Sequence, residues 1–264
     1  LEEEGVWLML EHAEFTTQIG CSVACLKYCP QEVIVKQYKG PRTLSFDSFK
    51  QFIRTIPNDV PITFAGVSEP FQNPDCVTMI LYAHNHGYKI NVFSTLVGLS
   101  YPGAVKICDV PFNWFELHLP DACGNAHIPI QQEYKDCLTY VLTHVKNIKL
   151  MNMGGLFESN KVEDMIRETA ARRCSGKVTC SLLRYPNYQI HPNGDVFFCC
   201  MTRGVNNKVG SLLENTYPEL IEKFPAISKG LSEDSDSICH YCVNAKPYWK
   251  YLIKEIEMKV ASFF

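Results

Sequence analysis

Two sets of cysteines are spaced for metal chemistry. The first is Cys21, Cys25 and Cys29, in the stretch Ile19-Gly20-Cys21-Ser22-Val23-Ala24-Cys25-Leu26-Lys27-Tyr28-Cys29-Pro30-Gln31, with three residues between neighbours. Three thiolates on one loop can hold three irons of a [4Fe–4S] cube and leave the fourth iron open to a ligand. The logic is that of a catalytic zinc with an open position. A zinc loop lacking its fourth ligand, or three buried thiols, satisfies the same spacing. The second set is Cys180, Cys199, Cys239 and Cys242. Cys239-His240-Tyr241-Cys242 can grip one metal centre from a single short loop, and four thiolates suit either a zinc ribbon or an iron–sulfur cluster. Thirteen cysteines in 264 residues is an odd total. In a chain this long without a secretion signal, ligands are the better reading than disulfides. Cys76, Cys108, Cys137, Cys174 and Cys200 read as core or surface thiols, with Cys200 the alternative to Cys199 as a ligand.

These thiols need a scaffold, and the pattern around them is α/β. Short apolar runs alternate with helix-period segments, which favours a parallel sheet with crossover helices. The expected strands are Ala13–Ile19, Pro61–Ala65, Lys89–Ser94, Asn113–His118 and Asn147–Met153. The expected helices lie near Ser45–Ile56, Cys76–His86 and Gln132–His144, with one more over Lys161–Arg173. In such sheets chemistry sits at the carboxyl ends of the strands, and Cys21 follows the first strand directly. Past Glu158 the texture changes to Cys, Gly and Pro punctuation. Tyr188–His191 and Asp195–Cys199, joined by Pro192-Asn193-Gly194, read as a hairpin. Helices are expected at Pro218–Phe224 and Tyr248–Ala261.

Composition excludes more than it selects. A hydrophobic share of 46% and a charged share of 20% support a packed core. A net charge of -3 offers nothing to nucleic acid or an anionic membrane. No apolar run reaches the roughly 18 residues of a membrane span, and Glu2, Glu3 and Glu4 do not make the basic start of a secretion signal. A cytoplasmic protein is expected.

The first cysteine loop resembles that of the radical S-adenosylmethionine superfamily, which follows the first barrel strand and carries an aromatic, here Tyr28, just before the third Cys. Cys29-Pro30-Gln31 resembles the ending found in members with an auxiliary-cluster domain. The spacing departs from the family's, which is three residues then two, as if Leu26 or Lys27 were inserted. Phe64-Ala65-Gly66-Val67-Ser68-Glu69-Pro70 resembles the family's Gly-Gly-Glu-Pro element. The resemblance implies that Gly66, Ser68 and Glu69 meet the methionyl ammonium of the cofactor, and that Ser94 and Thr95 meet its ribose. Cys180, Gly194 after thirteen intervening residues, and Cys199 after four more, followed by Val209-Gly210-Ser211-Leu212, resemble the SPASM and twitch extensions. Tyr248 stands where a full SPASM domain has its next cysteine, so the one-cluster twitch form is the match. Size and cysteine layout are most similar to the twitch-containing dehydrogenases that oxidise an aminocyclitol alcohol.

The fold this implies is a partial (β/α)6, TIM-like barrel over residues 10–173 with a small twitch domain over 174–264. The cofactors implied are two [4Fe–4S] clusters and S-adenosylmethionine. One cluster reduces the cofactor to release a 5′-deoxyadenosyl radical that takes a substrate hydrogen. The other accepts the electron that completes an oxidation, such as alcohol to ketone. The partners implied are a small-molecule or peptide substrate and an electron donor such as flavodoxin or ferredoxin. Glu116 and His118 share one strand face by period two and are candidates to touch a polar substrate. Cys123, in the loop after the fourth strand, is the candidate thiol donor should the enzyme be an epimerase instead. The same machinery would also serve a peptide-modifying enzyme. A zinc-stabilised, non-catalytic binding module is the reading from a different class.

Overall fold

The computed structural model describes residues 12–25, 29, 31–120, 126–152, 174–200, 206–242 and 244–261. Tyr28, Cys123 and the helix expected over Lys161–Arg173 lie outside them.

Five parallel strands stand in chain order: β1 (His12–Thr16), β2 (Ile62–Ala65), β3 (Ile90–Ser94), β4 (Trp114–Leu119) and β5 (Ile148–Asn152). Each falls within or beside its expected span. β1 stops short of Ile19 because Gln18 turns aside to bridge Thr43, and Ile19 N–H donates to the Arg42 carbonyl. The intervening helices are α1 (Gln31–Gln37), α2 (Phe46–Ile53), α3 (Cys76–Asn85), α4 (Tyr101–Ile107) and α5 (Gln132–His144). α2 opens on Ser45, whose hydroxyl accepts the Ser48 N–H at 3.1 Å, a cap that contributes about 1 kcal/mol. α4 was not expected from the sequence, since Pro102 and Gly103 mimic a loop. Proline is tolerated in a first helical turn, and Ser100 caps this one by accepting the Gly103 N–H.

After a short strand, β6 (Val178–Thr179), and a one-turn helix, α6 (Ser181–Arg184), comes the expected hairpin of β7 (Asn187–Ile190) and β8 (Asp195–Phe197), then β9 (Lys208–Ser211). β7 pairs parallel with β1, so the sheet runs β5-β4-β3-β2-β1-β7-β8-β9 and turns antiparallel only beyond β7. The hairpin thus supplies the sixth parallel strand among the described residues. Its turn depends on Gly194, which has φ +81° and whose absent Cβ would stand 2.9 Å from Cζ of Phe52 on α2. The chain ends with α7 (Tyr217–Ile221), α8 (Phe224–Glu233), β10 (Lys246–Pro247), paired with β6, and α9 (Tyr248–Ala261). No helix of the described residues is long and apolar enough to cross a membrane.

The register separates two chemistries. One row across the sheet reads Ile190, Phe15, Phe64, Val92, Phe115, all buried. Phe49 of α2 packs on Phe15 and Phe64, with ring centroids at 5.0 and 5.7 Å, so this is the helix-covered core face. The row on the opposite face reads Gln189, Glu14, Thr63, Asn91, Trp114, also buried. Parallel sheets are ordinarily apolar on both faces.

Candidate active site

The carboxyl ends of β1, β2 and β3 meet in one hydrogen-bonded knot. The chain leaves β1 through Gly20, with φ +94°, and Cys21 Sγ then accepts the backbone N–H of Glu69 at 3.4 Å. Gln72 clasps the same loop. Its Oε1 accepts the Ser22 N–H at 3.1 Å, and its Nε2 donates to Ser22 Oγ at 2.7 Å and reaches Cys21 Sγ at 3.8 Å. Burial pushes the Cys21 thiol up, opposed by the Glu69 N–H, so metal binding is what would make it a thiolate. Cys25 and Cys29 sit on the same loop, where Cys29 N–H donates to the Cys25 carbonyl, and all three are partly buried.

The turn after β2 is built tightly against β1 and β7. Gly66 has φ +91°, and a Cβ there would lie 2.1 Å from Thr16 Oγ1 and 3.1 Å from Gln189 Nε2, so only glycine fits. Two residues on, Ser68 Oγ is buried without a hydrogen-bond partner. Glu69 is the opposite case. Its Oε1 accepts from Ser94 Oγ at 2.6 Å and Phe71 N–H at 3.3 Å, and its Oε2 from Thr95 N–H and Thr95 Oγ1, both at 2.7 Å. A carboxylate offers about four acceptor positions, and protein donors occupy all of them. Burial pushes the Glu69 carboxyl up, while the Ser94, Thr95 and Phe71 donors pull it back. The structure therefore brings together Glu69, Ser94 and Thr95, expected around one cofactor, by bonding them to each other. Asn73, unnoticed in the sequence, completes the brace by donating to the Thr17 and Leu44 carbonyls at 2.9 and 2.8 Å.

On β4, His118 Nε2 and Glu116 Oε1 are 2.9 Å apart, and Trp114 Nε1 donates to Glu116 Oε2 at 3.3 Å. The expected pair shares a face and is satisfied within it. Cys123 lies outside the described residues, but a few positions later the chain is docked on the cysteine loop: His127 N–H donates to the Val23 carbonyl at 2.6 Å.

The second cysteine set converges on one cavity. Cys180, Cys199, Cys239 and Cys242 line it together with Leu182, Leu183, Phe198, Ile238, Asn244 and Ala245. Cys239 and Cys242 are carried by a short turn that Cys174 and His240 lock from behind. Cys174 N–H donates to the His240 carbonyl at 3.2 Å, and the His240 ring Nδ1 lies 3.2 Å from the Cys174 carbonyl. Burial raises the Cys180 and Cys242 thiols and takes Cys239 to about 11. Cys200 adds a smaller electrostatic push on Cys180 and Cys242, so it stands near the set without lining the cavity. Among the described residues no three ligand side chains are drawn together around a single ion. A four-iron cluster, in which each thiolate takes its own iron, does not ask them to be. The four thiols that line one cavity are a donor set of the kind a cluster uses, and the buried, partnerless Ser68 hydroxyl is one that a polar ligand could satisfy. The other described thiols pack, as expected: Cys137 Sγ donates to the Leu99 carbonyl, Cys108 Sγ to that of Val105, and Cys76 is fully buried.

The mostly parallel sheet, with helices on one face and a small antiparallel extension, is an α/β fold that resembles the partial TIM barrel of radical S-adenosylmethionine enzymes. No family model and no curated protein sequence matches the chain. Solved structures match it by fold. BtrN in complex with AdoMet and 2-DOIA superposes with a TM-score of 0.66 at 13% identity, over 89% of this chain and 92% of that one. BtrN in an open conformation gives 0.60 at 12%, over 89% and 92%. Native anSMEcpe with bound AdoMet gives 0.53 at 12%, over 88% and 86%. At such identities the likeness is one of fold.

Proposed function

We propose that the chain is a radical S-adenosylmethionine oxidoreductase that oxidises a small polar, alcohol-bearing substrate. The observation that carries this is the pairing, on that barrel fold, of a three-cysteine loop docked on the Gly66–Glu69 turn with four cysteines lining one cavity. Cys21, Cys25 and Cys29 would hold the first [4Fe–4S] cluster, and Cys180, Cys199, Cys239 and Cys242 the second. When bound, these groups supply a 5′-deoxyadenosyl radical at one site and an electron acceptor at the other.

The chain's own residues do the positioning. Gln72 and the Glu69 N–H orient Cys21, and the missing Cβ of Gly66 keeps the approach to Thr16 and Gln189 clear. Ser68 offers its unpartnered hydroxyl to the cofactor. Glu69, held by Ser94 and Thr95, keeps the turn in shape. We assign the second cluster to a unit spanning 174–264, expect an electron donor of the flavodoxin or ferredoxin type, and place the protein in the cytoplasm.

The test is anaerobic reconstitution with iron and sulfide analysis. About eight irons per chain are expected, falling to about four when Cys21, Cys25 and Cys29 are all replaced by Ala. Full iron in that triple variant would sink the first site, and one zinc per chain in metal-replete protein would make the second site a ribbon. A product with the substrate's own mass, lost in Cys123→Ala, would make the enzyme an epimerase.

A further inference from the structure

One cavity has no role in the proposed mechanism. It measures about 560 Å³ and is bounded by β6, α6, α8 and the start of α9. None of its lining residues belongs to the cysteine loop or to the Gly66–Glu69 turn. Lys177, Arg184 and Lys229 line it together with Tyr185, Tyr248 and Tyr251, and among the described residues no Asp or Glu does. The chain as a whole carries a net charge of -3, so this gathering of cations is local.

The three cations are not equivalent. Lys177 Nζ is paired with Glu233 Oε1 at 3.1 Å and lies over the Tyr248 ring. Arg184 and Lys229 make no ion pair among the described residues. Arg184 is nonetheless held in place. Its Nε donates to the Cys180 carbonyl at 3.3 Å, and its Cζ sits 4.4 Å from the Tyr251 ring centroid and 5.8 Å from that of Tyr185. Those contacts use one of its five N–H donors and steady the planar guanidinium, which leaves both terminal nitrogens of the fork for an acceptor. Lys229 is brought to the same cavity by α8, which is tied to α6 where Ser228 Oγ donates to the Leu183 carbonyl.

A steadied fork beside a second uncompensated ammonium suits an acceptor with two negative charges and several oxygens. A phosphate monoester carries about 1.5–2 negative charges near neutral pH on three terminal oxygens, whereas a carboxylate has a single charge and two oxygens. The volume falls within the roughly 300–1,000 Å³ of small-molecule sites and exceeds what a bare phosphate fills. Val178, Leu183 and Pro225 supply apolar wall for an organic part. We infer that this cavity binds a small organic phosphate monoester, with its phosphoryl group held by Arg184 and Lys229. Leu183 also lines the cavity of the four cysteines, so the phosphate binds beside that set and apart from the Gly66–Glu69 turn. The site stands on its own cations and holds whether or not the four cysteines carry a cluster.

The probes are phenyl phosphate, inorganic phosphate and phenol, titrated calorimetrically into the reconstituted protein at low ionic strength, where exposed charges are least screened. Phenyl phosphate should saturate one site per chain. Inorganic phosphate should compete for it about 10-fold more weakly, for want of an apolar part to bury, and phenol should not saturate. Lys229 is exposed, so Lys229→Glu leaves the fold intact, and its reversed charge should weaken phenyl phosphate about 10- to 100-fold. Arg184→Lys keeps the charge and loses the fork, and should weaken it about 10-fold. Should that variant not fold, Lys229→Glu decides alone. No saturable binding of phenyl phosphate, equal affinity for inorganic phosphate or for phenol, or an affinity unchanged in either folded variant would each overturn the site.

Discussion

Replacing Glu69 by Gln distinguishes a side chain that braces the fold from one held in reserve for a ligand. Both oxygens of Glu69 are engaged, so the substitution must put an amide where an acceptor stood. The Thr95 N–H is fixed by the backbone and needs an acceptor at the Oε2 position. The amide nitrogen must therefore replace Oε1, which accepts from Ser94 Oγ at 2.6 Å and Phe71 N–H at 3.3 Å. The Ser94 hydroxyl can rotate to accept from the amide, although it already accepts the Leu96 N–H at 2.7 Å. The Phe71 N–H cannot turn and faces a donor. The variant loses one hydrogen bond to a charged group and keeps weakened versions of the rest, at a cost of about 1.5–3 kcal/mol. Urea unfolding of the metal-free protein should show that loss as a lower midpoint at unchanged slope. A carboxylate reserved for the cofactor's ammonium would behave differently, with stability unchanged within about 0.5 kcal/mol and only cofactor binding weakened. Unchanged stability would refute the bracing role.

Three further outcomes follow from the same geometry. Gly194→Ala, strained at φ +81° and driven into Phe52, should cost about 2–4 kcal/mol by urea unfolding. Gly176→Ala, at φ +71° with nothing within 4 Å, should cost only the backbone share of that, about 1–2 kcal/mol. Burial lifts the Glu14 carboxyl from 4.5 to about 7, opposed by Gln189, so the folded state holds a proton that the unfolded chain releases between those values. Its contribution to stability is then full below pH 4.5 and lost as pH rises to 7. The stability of Glu14→Gln relative to wild type should accordingly rise by about 3 kcal/mol across that window. A flat difference would mean Glu14 is ionised in the free protein.

Where turn residues bracket an apolar run, the architecture was readable from the chain. All five barrel strands and the hairpin stand at their expected places, because Gly, Pro and Asn mark their ends and burial dictates the rest. α4 was hidden because Ser-Tyr-Pro-Gly has loop composition, although Ser before Pro is itself a helix-start signal. The cysteine spacings pointed to two ligand sets, and the four later thiols do line one cavity. How Glu69, Ser94 and Thr95 join to one another was not readable. Their mutual bonding depends on β2 lying beside β3 in register, which no local pattern states. Gln72 and Asn73 carry no signal at all in a single sequence. Glu14 and Gln189 did leave one. His12-Ala13-Glu14-Phe15-Thr16 and Asn187-Tyr188-Gln189-Ile190-His191 alternate polar and apolar residues strictly, where a parallel strand buried on both faces should be apolar throughout.

The central claim, that the cysteine loop after β1 and the Gly66–Glu69 turn form a site for reductive cleavage of S-adenosylmethionine, is tested most directly by assaying 5′-deoxyadenosine. The reconstituted protein is given dithionite and S-adenosylmethionine under anaerobic conditions. Wild type should release 5′-deoxyadenosine, and so should a variant with Cys180, Cys239 and Cys242 replaced by Ala. The Cys21, Cys25, Cys29 triple Ala variant should release none. An iron-loaded wild-type protein that leaves the cofactor intact would contradict the account.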